Sequence, residues 1–254
     1  MDTSEKRFES DIESFLVSEA GGYEQFSYLN PDGHRIQKYV YDKEKAIYPE
    51  VLVNFIARSQ PKAWARYQKY YGDDAPEKLY RRFQTSVQEN GLVHVLKYGI
   101  EDMGLSVNGI PVVALELKNQ FMGQDVDCAI EQFKNDRDPK EFCFRLNQRF
   151  LVYFAVDLYD VFMTTSLSGA ATRFMPFNQG SNGAGVTGGK GNPVNPDGYA
   201  TSYLWEKVLQ HDSLLDLINK FISFVKEKEE VERAGQIRLV EKSKLIFPRY
   251  HQFD

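Results

Sequence analysis

Cysteine is nearly absent from this chain of 254 residues, which has only Cys128 and Cys143. Two thiols cannot build a disulfide framework, and their spacing leaves no Cys-x-x-Cys metal pair, so two reduced thiols in a cytoplasmic protein are expected. Histidine is also sparse, at four residues. His34, His94, His211 and His251 are scattered without metal-ligand spacing. No charge sign dominates either: 31 Lys+Arg stand against 36 Asp+Glu, a net charge of −5. That balance argues against a protein that coats nucleic acid unaided, while leaving room for a local basic patch. No apolar run approaches the roughly 18 residues of a membrane span. The opening MDTSEKRFESD is polar and acidic where a secretory signal is basic and then apolar. What is present is an ordinary globular composition, 42% hydrophobic and 26% charged, in a chain long enough to bury a core.

Several catalytic signatures are missing as well. Gly183-Ala184-Gly185-Val186-Thr187-Gly188 has the dinucleotide spacing G-x-G-x-x-G, but it sits inside a Gly/Pro/Asn stretch and opens no helix. Gly189-Lys190 makes no phosphate loop, because Gly191 stands where Ser or Thr is needed. No Walker motif and no G-x-S-x-G occurs, so neither ATP hydrolysis nor serine-nucleophile chemistry is expected of this chain.

The patterning alternates between helix and strand. Phe8, Ile12, Phe15 and Leu16 form a helical stripe over residues 5–20, with Ser4 as N-cap and Gly21-Gly22 as the stop. Further helices are expected over Pro49–Ala57, Lys62–Tyr71, Glu77–Asn90 and Asp125–Asn135. Leu105–Leu117 is aliphatic and split by Asn108-Gly109, a strong hairpin signal. Arg149–Asp157 and Asp160–Thr165 read as strands, with another over Thr172–Phe177. Residues 178–198 hold seven of the 18 glycines and are expected to be a loop. Tyr199–Phe224 reads as helical with a break near His211-Asp212, and the charged run Lys226–Arg233 as a solvated helix face. A single domain is expected, with a helical region over residues 1–98, a sheet core over 99–177, the Gly-rich loop over 178–198 and a C-terminal helical region over 199–254. The fold class expected is α/β (α+β), one mixed sheet flanked by helices.

One constellation carries chemistry. Val113, Leu115 and Leu117 alternate with Ala114, Glu116 and Lys118, so a strand places Glu116 and Lys118 on one face, about 6.6 Å apart. Such a pair is costly to bury unless it is paired or metal-bound; taken alone it is an ordinary solvated pair. Asp102 lies fourteen positions before Glu116, giving Asp-x13-Glu-x-Lys across a hairpin. Two carboxylates collect a hard Mg²⁺, which with the lysine activates water and stabilises charge on a scissile phosphate. The register decides the first carboxylate. A two-residue Asn108-Gly109 loop sets Glu101 opposite Glu116, whereas an odd-numbered loop with Gly109 left-handed restores Asp102. Both remain open.

At these residues the chain resembles the N-terminal nuclease region of the R subunit of type I restriction–modification enzymes. The resemblance runs almost the whole length, through FESDIESFLVSEAGGY, NFIARSQPKAW, VLKYGIEDMG, VNGIPVVALELKN, GQDVDCAIEQFKNDRDP, RFLVYFAVDLYDVFMTTSLSG, TRFMPFNQG, GNPVNPDGY, YLWEKVLQHDSLLDLINKFI and LIFPRYHQFD. It implies a restriction-endonuclease-like fold of the PD-(D/E)-x-K type, with additional N- and C-terminal helices, that cuts double-stranded DNA with Mg²⁺. It also implies modification and specificity subunits as partners, and an ATP-driven translocase following in the intact subunit. Glu116 and Lys118 fall on the family's Glu-x-Lys. Gln132 corresponds to the glutamine of a Gln-x-x-x-Tyr element, although the position four further on is Asp136. Glu9 is a weaker candidate for an acid beside the metal and otherwise an exposed helix carboxylate. The family's first metal-binding Asp stands at the entrance to the VNGIP strand, in a stretch that is shortened here. Asp102 therefore belongs by local similarity to GIEDMG: either the junction supplies a new ligand, or the first ligand is lost and the fold serves as an assembly module.

Overall fold

A computed structural model describes residues 5–32, 34–98, 109–119, 123–180, 190–233 and 236–253. Helix α1 (Glu5–Leu16) buries Phe8 and Ile12 and ends before the expected stop. Ser18 turns the chain there, its hydroxyl donating to the Phe15 carbonyl. A small hairpin follows, β1 (Ser27–Leu29) with β2 (Arg35–Gln37). Four helices complete the N-terminal region: α2 (Pro49–Ser59), α3 (Pro61–Tyr71), α4 (Ala75–Asn90) and α5 (Leu92–Tyr98). Proline opens α2 and α3 at their first position, where its missing N–H costs nothing. Of the aromatic stripe of α3, Trp64 is buried, while Tyr70 is exposed.

The central sheet has the order β3 (Val113–Leu117), β4 (Val152–Val156), β5 (Val161–Thr164), β6 (Met175–Pro176). β3 and β4 run parallel, and the remaining pairs are antiparallel. A parallel pair needs a long crossover, which here contains α6 (Val126–Asn135). The mixed α/β class is as the sequence implied. Period-two alternation sorts the two faces of the sheet. Val113, Leu115 and Leu117 join Val152, Phe154 and Val156 in the main core with Leu52, Phe83 and Leu209. Ala114, Tyr153 and Ala155 face Val126, Ala129, Ile130 and Phe133 of α6.

Of the expected hairpin over Leu105–Leu117, residues 105–108 lie outside the described residues, as do Ser4 and the G-x-G-x-x-G segment. Gly109 takes φ +80, and a Cβ there would meet the Tyr48 carbonyl oxygen at 2.9 Å. Its own carbonyl accepts the Tyr48 N–H at the start of α2.

Residues 190–198 are irregular, as expected of a loop, and its stem is tied down. The Asn192 amide donates to Asn178 Oδ1 and to the Tyr159 carbonyl, and the Asn178 amide donates to Asp160. Beyond it, a π-type turn (Leu204–Val208), α7 (His211–Asp216) and a second π-type turn (Leu217–Phe221) make the expected broken helical stretch, which starts later than Tyr199 and stops before Ser223. The solvated helix expected over Lys226–Arg233 is a correction. Those residues form β7 (Ser223–Arg233), paired along its length with β8 (Gln236–Ile246). Cross-strand pairing supplies what a run of like-sized charged residues could not supply within one helix: Lys244 meets Glu227 at 2.6 Å and Lys242 meets Glu229 at 3.4 Å. The C-terminal region is thus half ribbon rather than all helix. The chain returns to the core through Phe247 and α8 (Tyr250–Phe253), where Tyr250 packs edge-on to Phe177 and Tyr203.

Candidate active site at the end of strand β3

Glu116 and Lys118 share a face, as period two requires, and the structure brings them together: Lys118 Nζ lies 3.6 Å from Glu116 Oε1. This is no solvated pair. The Lys118 side chain is 11% exposed and that of Glu116 13%, and both stand on the face covered by α6. An ammonium and a carboxylate removed from water to this degree need further partners. Two appear that the sequence pattern did not reveal. Glu5 Oε1 lies 3.6 Å from Lys118 Nζ, and Arg137 Nη2 donates to Glu116 Oε2 at 3.1 Å. The result is a quartet of two carboxylates and two cations.

Each member is placed by packing. Phe8 and Ile12 seat α1 in the core, with Phe8 packed edge-on to Tyr199 and Trp205. Glu5 precedes them at the i, i+3, i+7 spacing and so points the same way. Glu9, one residue past Phe8, is exposed. The acid that α1 brings to the site is therefore Glu5, and the helical phase could have identified it. A carboxylate in the first turn also suits the positive end of the helix dipole.

Arg137 sits two residues beyond α6, and α6 is fixed at both ends. The Asp125 side chain accepts the Cys128 N–H as an N-cap, and the buried Asp157 carboxylate accepts the Val126 N–H at 3.0 Å. Phe133 then locks the last turn against Tyr153. Nothing in the sequence pattern singled out Arg137, because its partner is 21 residues away across a crossover.

Gln132 is half-buried on α6, in the layer that covers Ala114, and among the described residues its side chain makes no hydrogen bond to Glu116 or Lys118. Asp102 and Glu101 lie outside the described residues. Among the described residues no group of three His, Cys, Asp or Glu side chains is gathered as a metal site. The donors present nevertheless suit a hard cation: Glu5 and Glu116 bring carboxylate oxygens to the same ammonium, and Mg²⁺ is commonly held by only one or two carboxylates plus waters and phosphate. The cavity of about 650 Å³ behind β3 is a separate feature. Val113 and Leu115 of the opposite face line it, together with Tyr23, Tyr48 and Arg58.

Among the described residues no helix is long and apolar enough to cross a membrane. No curated protein and no solved structure matches the chain. The family model of the type I restriction enzyme R protein N terminus matches residues 62–183, which contain β3, the α6 crossover, Glu116, Lys118, Gln132 and Arg137. Over residues 62–183, just under half of its length, the chain is thus similar to type I restriction enzyme R protein N termini.

Proposed function

We propose that this region is the nuclease portion of a type I restriction enzyme R subunit and hydrolyses phosphodiesters of double-stranded DNA with Mg²⁺. The observation that carries the reading is the Lys118 ammonium, nine-tenths buried between two carboxylates where β3 ends. A lysine desolvated among exchangeable partners is poised for the charge that grows on a scissile phosphate. Glu116 would hold the metal, with Asp102 or Glu101 as a second ligand and Glu5 beside them. A bound Mg²⁺ supplies the lowered pKa of an attacking water. Lys118 orients that water and neutralises the phosphate oxygens, and Gln132 assists from α6. The DNA is delivered by the modification and specificity subunits of a cytoplasmic complex, in keeping with the net charge of −5.

The test is plasmid cleavage by the reconstituted enzyme, alongside Mn²⁺ calorimetry on the 254-residue chain. Glu116→Ala is expected to abolish both. Mn²⁺ heats that are absent, or that survive Glu116→Ala unchanged, would reject the assignment. A second reading, a nuclease-fold assembly module without working metal chemistry, is favoured by one observation: Glu116 is already neutralised by Lys118 and Arg137. In that case the complex assembles normally with Glu116→Ala and neither protein binds metal.

A further inference from the structure

Arg137 is the freer of the two cations in the quartet. Its side chain is 38% exposed and follows the end of α6, whereas Lys118 is 11% exposed and Glu116 is held at 13% on a strand paired to β4. The guanidinium donates to Oε2 of Glu116, the oxygen that Lys118 leaves free by sitting on Oε1. Glu116 thus has a cation on each oxygen, and Glu5 and Glu116 together balance Lys118 and Arg137. A divalent ion entering this group would add two positive charges to a balanced, partly buried cluster. One cation must then leave the carboxylate, and the solvent-facing one is Arg137.

We infer that Arg137 is a positioning residue that stoppers the site: it occupies Glu116 Oε2 until a divalent cation displaces it, and so sets the metal concentration at which the site loads. This rests on the nuclease reading above. The coordination site opens only by breaking an ion pair that is partly shielded from water, so the pair is subtracted from the metal affinity.

The experiment is Mn²⁺ titration of the 254-residue chain by calorimetry, with the Mn²⁺-dependent rise in thermal midpoint as a second readout. Arg137→Ala is expected to tighten Mn²⁺ binding about three- to tenfold, the scale of a partly exposed ion pair. The thermal shift at fixed Mn²⁺ should grow in step. Arg137→Lys, which keeps the charge but loses the fork, should return affinity most of the way to the parent value. A structural staple would behave differently: Arg137→Ala would lower the midpoint in chelator and leave Mn²⁺ affinity unchanged or weaker, which overturns the inference. If the parent binds Mn²⁺ in a Glu116-dependent way and Arg137→Ala does not tighten it, the stopper fails while the nuclease reading stands. If neither the parent nor Arg137→Ala binds Mn²⁺, both fail together.

Discussion

The molecule buries two cations in opposite ways. Arg149 is fully buried, and among the described residues its hydrogen-bond acceptors are neutral: it donates to the carbonyls of Ala46, Lys45 and Gln148 at 2.8–3.1 Å. Its guanidinium also lies over the rings of Phe83 and Phe142. Burial pulls its pKa from the ordinary arginine value down to about 10, which leaves it charged at neutral pH. Lys118 is nearly as buried but faces two carboxylates. Fixed carbonyl dipoles that cannot be exchanged make Arg149 a staple between the 45–46 loop and the start of β4. Ionised partners on two different elements make Lys118 part of a charge network instead.

The contrast is broken most directly at Arg149. Arg149→Met leaves three carbonyls without their donor and should cost about 3–5 kcal/mol of unfolding free energy in urea. Mn²⁺ affinity of the folded fraction should be unchanged. A loss below about 1 kcal/mol would mean the staple holds little. The anionic counterpart is Asp157, fully buried and accepting the N–H groups of Val126, Tyr159 and Asp160. By register it continues the strand beside Lys118, yet its oxygens accept from the backbone. Asp157→Ala should cost about 2–4 kcal/mol by the same denaturation, with α6 loosened in amide exchange.

Lys118→Met should invert the pattern. Removing one partner of a buried pair can cost about 3–5 kcal/mol, but Arg137 stays on Glu116, so the loss should be below about 3 kcal/mol. DNA cleavage by the assembled enzyme should fall about 10²- to 10³-fold. A large stability loss with cleavage retained would move Lys118 into the class of Arg149.

Smaller still is the effect at Asp160, whose carboxyl burial pushes above its usual range against the Asn178 amide. Between the ordinary carboxylate pKa and this raised one, the folded chain keeps a proton that the unfolded chain has released. Stability therefore falls as pH rises through that window. Asp160→Asn keeps the oxygen facing Asn178 and should flatten that slope, read from denaturation midpoints across mildly acidic pH. At the far end, Lys244→Ala breaks an exposed ribbon pair and should cost under about 0.5 kcal/mol.

How much of this the sequence disclosed follows from the range of each interaction. β4 and β5 were legible because they are short aliphatic runs, and α6 because its stripe repeats with an Asp cap. Glu116 and Lys118 were legible as a same-face pair because a strand's period is fixed. Their burial was not, since it depends on α1 and α6 arriving from 111 residues before Glu116 and 21 after it, the separations of Glu5 and Arg137. Glu9 is the exposed helix carboxylate that its alternative reading expects, and Glu5 is not singled out by any motif, although helical phase points to it. The ribbon was misread because charge alternation along Lys226–Arg233 suits an exposed helix and an exposed strand equally, and only the partner strand decides between them.

That ribbon leaves the body at the buried Ile222 and rejoins it at the buried Leu245 and Phe247, with Thr165 donating to the Leu245 carbonyl at its foot. Beyond the Phe224–Leu245 pair, which packs on the core, the remaining pairs run from Val225–Lys244 to Arg233–Gln236 across the ribbon. Excising matched residues from both strands would shorten it by about 3.4 Å per pair without moving a core side chain. The length of the ribbon can thus be reset while Glu116 and Lys118 at the end of β3 stay where they are.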